Sequence, residues 1–439
     1  MNARRLRLVA IVATFAVGAT ACTIELGTPP VGPSGVSSPD ASPSPVPTGE
    51  RSAAATMAAL CDVPPPPARG EPKPAGETPA DIAEVEAQVE QTRGLDFARP
   101  VAVEPVTAEQ IQRRLLANFE RTVPEELYAR RSLAWQTIGV IPPGAEITDA
   151  LRAFLSGQVV GYYNPANRAL VYIGQDELTT NSRFILAHEL THALDDQHFD
   201  LTRLDPLTTS CDDEAFMAAL GAVEGSAQFT ATRVIIGFPD ANEDFGATDP
   251  GSTEGVPPFI VRTQLWPYDA GMRFIDAMND AGGRDAVDGA LERMPVSTEQ
   301  VIHPERYPND TPTPLDVADL APELPGRWRD LDVMLVGEAW LESMLWVWAS
   351  DDPDGAAAGW DGGLYRAWTD GDRVAVVLKT VWDTSADARE FATTLRSTVD
   401  ARRAFVRGLE GRIVVAGFAS DREVLDALGL ALGVSATIP

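Results

Sequence analysis

Apolar residues recur at helical spacing over 81–93 and again over 107–121, where Thr107 precedes Glu109 and Gln110 in the order of an N-capped helix. The period changes over 158–173. Gly161-Tyr162-Tyr163 and Ala169-Leu170-Val171-Tyr172-Ile173 are β-prone runs about the turn Asn164-Pro165-Ala166-Asn167, which predicts a hairpin. Helical patterning resumes over 182–198, with Asn181 and Ser182 as its start, and over 213–236. The stretch 238–258, rich in Gly, Pro and acids without a period, is expected as a surface loop. Further helices are expected at 269–281 and 284–293, and one carrying Trp340, Trp346 and Trp348, whose rings read as core. Beyond Trp360 the order is strand (373–382), helix (385–399), strand (412–418), helix (421–432). These elements predict an α+β fold: mostly helical, with a small antiparallel sheet beside the helix 182–198, and a C-terminal α+β subdomain.

The ends of the pattern are different in kind. Arg4, Arg5 and Arg7 precede an apolar stretch, 8–19, too short for a permanent membrane span, which reads as an export signal. Ala19-Thr20-Ala21-Cys22 then resembles the lipobox of bacterial lipoproteins, with Ala19 where Leu or Val is usual. That resemblance implies acylation of Cys22 and an extracytoplasmic protein lipid-anchored to the membrane; the alternative is secretion after cleavage near Ala21. From 28 to 79 Pro, Ser, Gly and Thr dominate, a composition that builds no packed core. The expected organisation is a signal peptide (1–21), a tether (22–79), a main domain (80–355) and the C-terminal subdomain (356–439).

Charge and cysteine count narrow the partners. Lys plus Arg number 35 against 64 Asp plus Glu, a net charge of −29 that repels nucleic acid, so no nucleic-acid partner is expected. With Cys22 assigned to the lipid, Cys61 and Cys211 remain for an oxidising compartment, and a disulfide between them is the economical expectation.

The chemistry concentrates in one turn of helix. His188-Glu189-Leu190-Thr191-His192 places two imidazoles four residues apart on one helix face with a carboxylate beside them. The chain has 4 histidines, and three of them fall within 188–198, far from a random scatter. Zinc in hydrolases takes three protein ligands and keeps a position for water, so a third ligand is sought downstream. On a helix from 213, Phe216, Met217, Leu220, Val223 and Ala227 form an apolar stripe that includes Glu224 and leaves Glu214 outside. A carboxylate on a buried stripe needs a cationic partner. One zinc ion held by His188, His192 and Glu224 supplies it; a buried Arg233 is the alternative. Gly225 would admit a close helix neighbour, Asp195 is a candidate to orient an imidazole, and His198 suits the end of its helix.

A His-Glu-x-x-His helix followed by a helix bearing Glu resembles the gluzincin branch of the zincin metallopeptidases, the group that includes thermolysin. The resemblance implies a zincin-like domain over 80–355, a peptide or protein substrate, and Glu189 as the base for the metal-activated water. It implies also that Ala169-Leu170-Val171-Tyr172-Ile173 is the edge strand along which substrate lies, and that His303 or Tyr307 stabilises the oxyanion. The segment Glu224-Gly225-Ser226-Ala227 departs from the thermolysin pattern after the ligand. The stretch 80–391, with Gly161-Tyr162-Tyr163-Asn164-Pro165 and Ser297-Thr298-Glu299-Gln300-Val301-Ile302-His303-Pro304, is similar to uncharacterised bacterial lipoproteins with the same motifs. The same site would serve another amide, such as one in cell-wall peptide. A non-catalytic binding lipoprotein with a structural or degenerate zinc site is the reading from another class, although a structural site needs no base between its histidines.

Overall fold

The computed structural model describes residues 52–66, 69–156, 161–175, 177–237, 253–399, 403–408 and 411–433. The export signal, Cys22 and most of the loop 238–258 lie outside the described residues. In chain order the elements are α1 (Ala53–Leu60), α2 (Ala80–Arg93), β1 (Ala102–Val106), α3 (Ala108–Thr122), α4 (Glu125–Ile138), α5 (Ile147–Ser156), β2 (Gly161–Asn164) and β3 (Ala169–Ile173). There follow α6 (Thr180–Phe199), α7 (Asp205–Thr209), α8 (Asp213–Ile236), α9 (Pro258–Glu292), α10 (Thr298–Ile302), β4 (Arg329–Leu335), α11 (Glu338–Val347) and α12 (Pro353–Ala357). The C-terminal part is β5 (Trp360–Thr369), β6 (Val374–Trp382), α13 (Ser385–Thr398), β7 (Ala404–Gly408), β8 (Ile413–Ala419) and α14 (Arg422–Ala431). Among the described residues no helix is long and apolar enough to cross a membrane.

The expected hairpin is present, Gly161 opposite Tyr172 and Asn164 opposite Ala169, but the sheet it belongs to is mixed rather than purely antiparallel. β1 adds alongside β3 in parallel, Ala102 opposite Ala169. The order is β1-β3-β2, so Ala169–Ile173 is the central strand and not an edge; β2 is the edge on its other side. Sequence periodicity misses β1 because Pro105 interrupts it, and proline is tolerated in a strand that lies at a sheet edge.

The second sheet has the order β4-β5-β6-β8-β7, antiparallel throughout. α13 packs Phe391 and Leu395 against one face with Tyr365 and Trp382; α14 packs Leu425 and Leu428 against the other with Trp368 and Val377. β5 is buried on both faces, so it shows no polar alternation by which to be read. The sheet also takes in β4, on the N-terminal side of the 355/356 boundary.

The described parts of 52–79 are held against this body at several points. Ala53 is buried beside the second sheet, its N–H donating to Asp316 at 2.7 Å, and Cys61 is disulfide-bonded to Cys211. Further on, Gly70 and Lys73 donate their main-chain N–H groups to the carbonyls of Ala166 and Asn167 in the β2–β3 turn.

The middle of the molecule is the packing of α6, α8 and α9. The two expected helices over 269–293 are present, divided by a kink at the non-helical Gly283, whose φ is 66°, but the first begins earlier, at Pro258, and passes through Pro267. Pro267 makes a start after it the natural reading, because proline removes a helical N–H. α8 is buried nearly all round, between α2, α6, α9 and α10, which explains its run of Ala and Gly. Gly225 does admit a close neighbour: α9 crosses there, at Gly271.

Candidate metal centre

α6 begins at Thr180, slightly before the expected start at Asn181 and Ser182. Thr179 is its N-cap, accepting the N–H of Ser182 at 3.1 Å. Phe184, Ile185, Leu190 and Leu194 bury the helix against α2 and the small sheet, and that packing fixes the rotation at which the two histidines face α8.

Three donor atoms converge. Nε2 of His188 and Nε2 of His192 lie 3.0 Å apart, and Oε2 of Glu224 is 3.1 Å from the first and 3.3 Å from the second. The rings stand nearly perpendicular, at 87°, so each turns its Nε2 edge to the same point. All three residues are buried, at 2%, 7% and 5% exposure. These three are the one group among the described residues placed to hold a metal ion.

Charge makes the same point. Burial works to raise the carboxyl of Glu224, but the charge of His192 and hydrogen bonds from both imidazoles outweigh it and hold it at about 2. Burial opposes a charged His192, yet Glu224 outweighs that and pushes the imidazole up to about 9. A buried cluster of lone pairs this close draws positive charge, as a proton or as a metal ion, and the two-imidazole, one-carboxylate donor set suits a borderline divalent cation such as zinc. With a metal ion at the two Nε2 atoms, the proton of each neutral ring would sit on Nδ1. Among the described residues, both Nδ1 atoms are buried without a hydrogen-bond partner.

Glu189 stands beside the cluster with its Oε2 accepting the main-chain N–H of Tyr163 at 2.7 Å. Burial raises its carboxyl, against the lowering effect of the two histidines and the Tyr163 N–H, and the net shift is upward. A buried carboxylate whose pKa is raised is a stronger base than a solvated one.

Other expected residues are elsewhere engaged. Asp195 does not orient an imidazole: its Oδ1 receives Nε and Nη2 of Arg93 at 3.1 and 2.8 Å, and its Oδ2 receives Oγ of Ser226 at 2.6 Å. His303 is hydrogen-bonded to Glu338 at 2.9 Å, and the Tyr307 hydroxyl donates to the carbonyls of Arg293 (2.6 Å) and Gly289 (3.2 Å). Among the described residues, neither hydrogen-bonds to His188, Glu189, His192 or Glu224. Arg233 pairs with Asp276 and lies over Phe229, leaving Glu224 to the histidines. Glu214, expected outside the buried stripe, is buried too, its carboxylate accepting the N–H and hydroxyl of Thr298. His198 donates to the carbonyl of Asp96 at 2.9 Å in the last turn of α6.

Sequence reasoning passed over two residues. Tyr163 meets Glu189 through its backbone, which no side-chain pattern signals. Tyr268, from α9, stacks on His188 with ring centroids 6.0 Å apart and planes 25° apart, and nothing in the local sequence links it to a site 80 residues earlier.

Comparison with known proteins adds little on function. Residues 329–426, from the start of β4 into α14, match a family described as a domain of unknown function (DUF8575). No curated protein matches the chain. Among solved structures, a chain described as a "putative hydrolase with a novel fold" from Chloroflexus aurantiacus is similar at 15% identity over 58% of this chain and 94% of that one. Its TM-score is 0.34, a likeness too slight to carry an argument.

Proposed function

We propose that the chain is a gluzincin-type zinc metallopeptidase that hydrolyses peptide bonds. The observation that carries the reading is the convergence of His188 Nε2, His192 Nε2 and Glu224 Oε2 on one point with Glu189 next to it. A zinc ion there would act as a Lewis acid, lowering the pKa of water and polarising a carbonyl. Glu189 takes the proton from the attacking water and passes it to the leaving amine. The Tyr163 N–H holds that carboxylate in place, since it leaves one oxygen, Oε1, free of this bond. Because β2 and not β3 is the edge of the small sheet on this side, an extended peptide would add along β2, making main-chain hydrogen bonds without demanding a particular side chain.

The extracytoplasmic, lipid-anchored location belongs to the same proposal. The Cys61–Cys211 bond suits an oxidising compartment and leaves Cys22 as the remaining cysteine, available for acylation.

The test is a pair of measurements on purified protein. Zinc is expected at about one equivalent, and Glu189→Gln is expected to retain it while cleavage of a mixed peptide library falls by roughly 10²–10⁴-fold. Zinc bound without any turnover by the unmutated chain would favour the binding-protein reading instead; no bound zinc would end both.

A further inference from the structure

Two aspartates, Asp195 and Asp196, follow the second imidazole, and both are buried, at 0% and 3% exposure. Adjacent buried carboxylates are unfavourable unless each is fully engaged. Each is, but with different parts of the molecule.

Asp195 joins the helices around the metal ligands. It receives Arg93 from the end of α2 on one oxygen and Ser226 of α8 on the other. Arg93 also reaches Asp288 of α9 at 2.9 Å. Ser226 is two residues past Glu224 and Asp195 is three past His192, so a single carboxylate ties the helix of the imidazoles to the helix of the third ligand.

Asp196 faces the small sheet. Its Oδ2 accepts the hydroxyl of Tyr163 at 2.7 Å and the guanidinium of Arg69, and its Oδ1 accepts the N–H of Leu201 at 3.1 Å. Tyr163 is therefore held at both ends: the phenol at Asp196 and the main-chain N–H at Glu189. Those two partners lie seven residues apart on α6, about 10 Å along the helix axis, and Tyr163 with its two hydrogen bonds spans that distance.

We propose that Asp195 and Asp196 are positioning residues with separate duties: Asp195, through Ser226, sets the spacing of the metal ligands, and Asp196, through Tyr163, holds the β2 N–H against Glu189. The Asp195 half rests on the metal-centre reading above; the Asp196 half does not. A role in stability alone would weaken the fold in either variant and leave the site measurements alike.

The experiment uses the full chain and reads zinc affinity by chelator competition, with hydrogen–deuterium exchange of the peptide covering 161–164. Asp195→Asn and the milder Ser226→Ala are expected to weaken zinc binding by roughly 10–100-fold, and to alter the absorption spectrum of the cobalt-substituted protein, with exchange at 161–164 unchanged. Asp196→Asn and Tyr163→Phe are expected to speed that exchange while zinc affinity stays within about threefold of wild type, well short of a loss of support to a ligand. Equal loss of zinc affinity in both pairs, unchanged affinity in the first pair, or unchanged exchange in the second overturns the proposal. A wild-type chain that binds no zinc overturns the metal centre and the Asp195 half with it, and the exchange measurement still decides the Asp196 half.

Discussion

Gly225 and Gly271 meet so closely that a Cβ on Gly225 would lie 2.2 Å from the carbonyl oxygen of Gly271, and a Cβ on Gly271 would lie 2.0 Å from that of Gly221. The obstacles are backbone atoms, which cannot rotate aside. α8 and α9 would have to part, carrying Glu224 with them. Gly225→Ala and Gly271→Ala are each expected to lower stability by about 1–3 kcal/mol or more, as overpacking does. Gly289→Ala is the control, since a Cβ there meets nothing within 4 Å. It should be neutral or stabilising by up to about 1 kcal/mol, from the better helix propensity of alanine. Thermal melts of the three variants check the contrast.

The Cys61–Cys211 bond closes a separation of 150 residues and clamps the N-terminal arm beside the start of α8. Replacing both cysteines by serine is expected to cost about 2–4 kcal/mol in urea unfolding, the usual range for a cross-link over a long loop. The arm over 62–79, with the clamp gone, should become an early site of proteolysis. A thiol assay on denatured, unreduced protein should find neither cysteine reactive.

Two buried acids make stability depend on pH. Burial pushes Glu214 up to about 7 despite the two hydrogen bonds from Thr298, and burial pushes Glu299 up to about 8 despite Arg306. Both folded values exceed the unfolded carboxyl value, so their contribution is complete below about pH 4 and is lost as pH rises through 7 and 8. In chelator, which sets metal binding aside, the urea midpoint should fall between pH 5 and pH 8.5. Glu214→Gln should flatten that fall by on the order of 3 kcal/mol at most. An unchanged slope in that variant would refute the assignment.

Arg131 lies at the junction of the two halves. Its Nη1 is 2.9 Å from Asp213, the first residue of α8, and its Nε is 3.3 Å from Asp332 of β4, which also accepts the Tyr365 hydroxyl. Arg131→Ala leaves the buried carboxylate of Asp332 and the half-buried one of Asp213 without their cation and is expected to cost about 3–5 kcal/mol. Adding Asp332→Ala should cost less than the two single changes together, because the second removes a charge that the first had stranded. Double-mutant analysis of urea unfolding measures the coupling.

Much of the site was legible because its signals are local. The spacing of His188, Glu189 and His192 is a property of one helix turn, and the order Thr107 to Gln110 is a property of one helix end. The pairing of Cys61 with Cys211 followed from counting. Elements whose evidence is non-local were not legible. β1 carries a proline that only an edge position excuses, β5 is covered on both faces and shows no alternation, and α9 continues through Pro267 because its neighbours hold it.

The residue pattern alone determined that two imidazoles share a helix face and that an acid on α8 must find a cation, since both follow from 3.6 residues per turn and from the penalty of burying a lone charge. Tertiary structure decided the rest. Glu214 and Glu224 are both buried, and what separates them is the neighbour each meets: Thr298 for the first, two imidazoles for the second. Asp195 turned from the histidines to Arg93 and Ser226, and His303 and Tyr307 to Glu338 and helix-end carbonyls, for the same reason. A side chain's reach is set by its own chemistry, but the partner that satisfies it is brought by segments tens or hundreds of residues away.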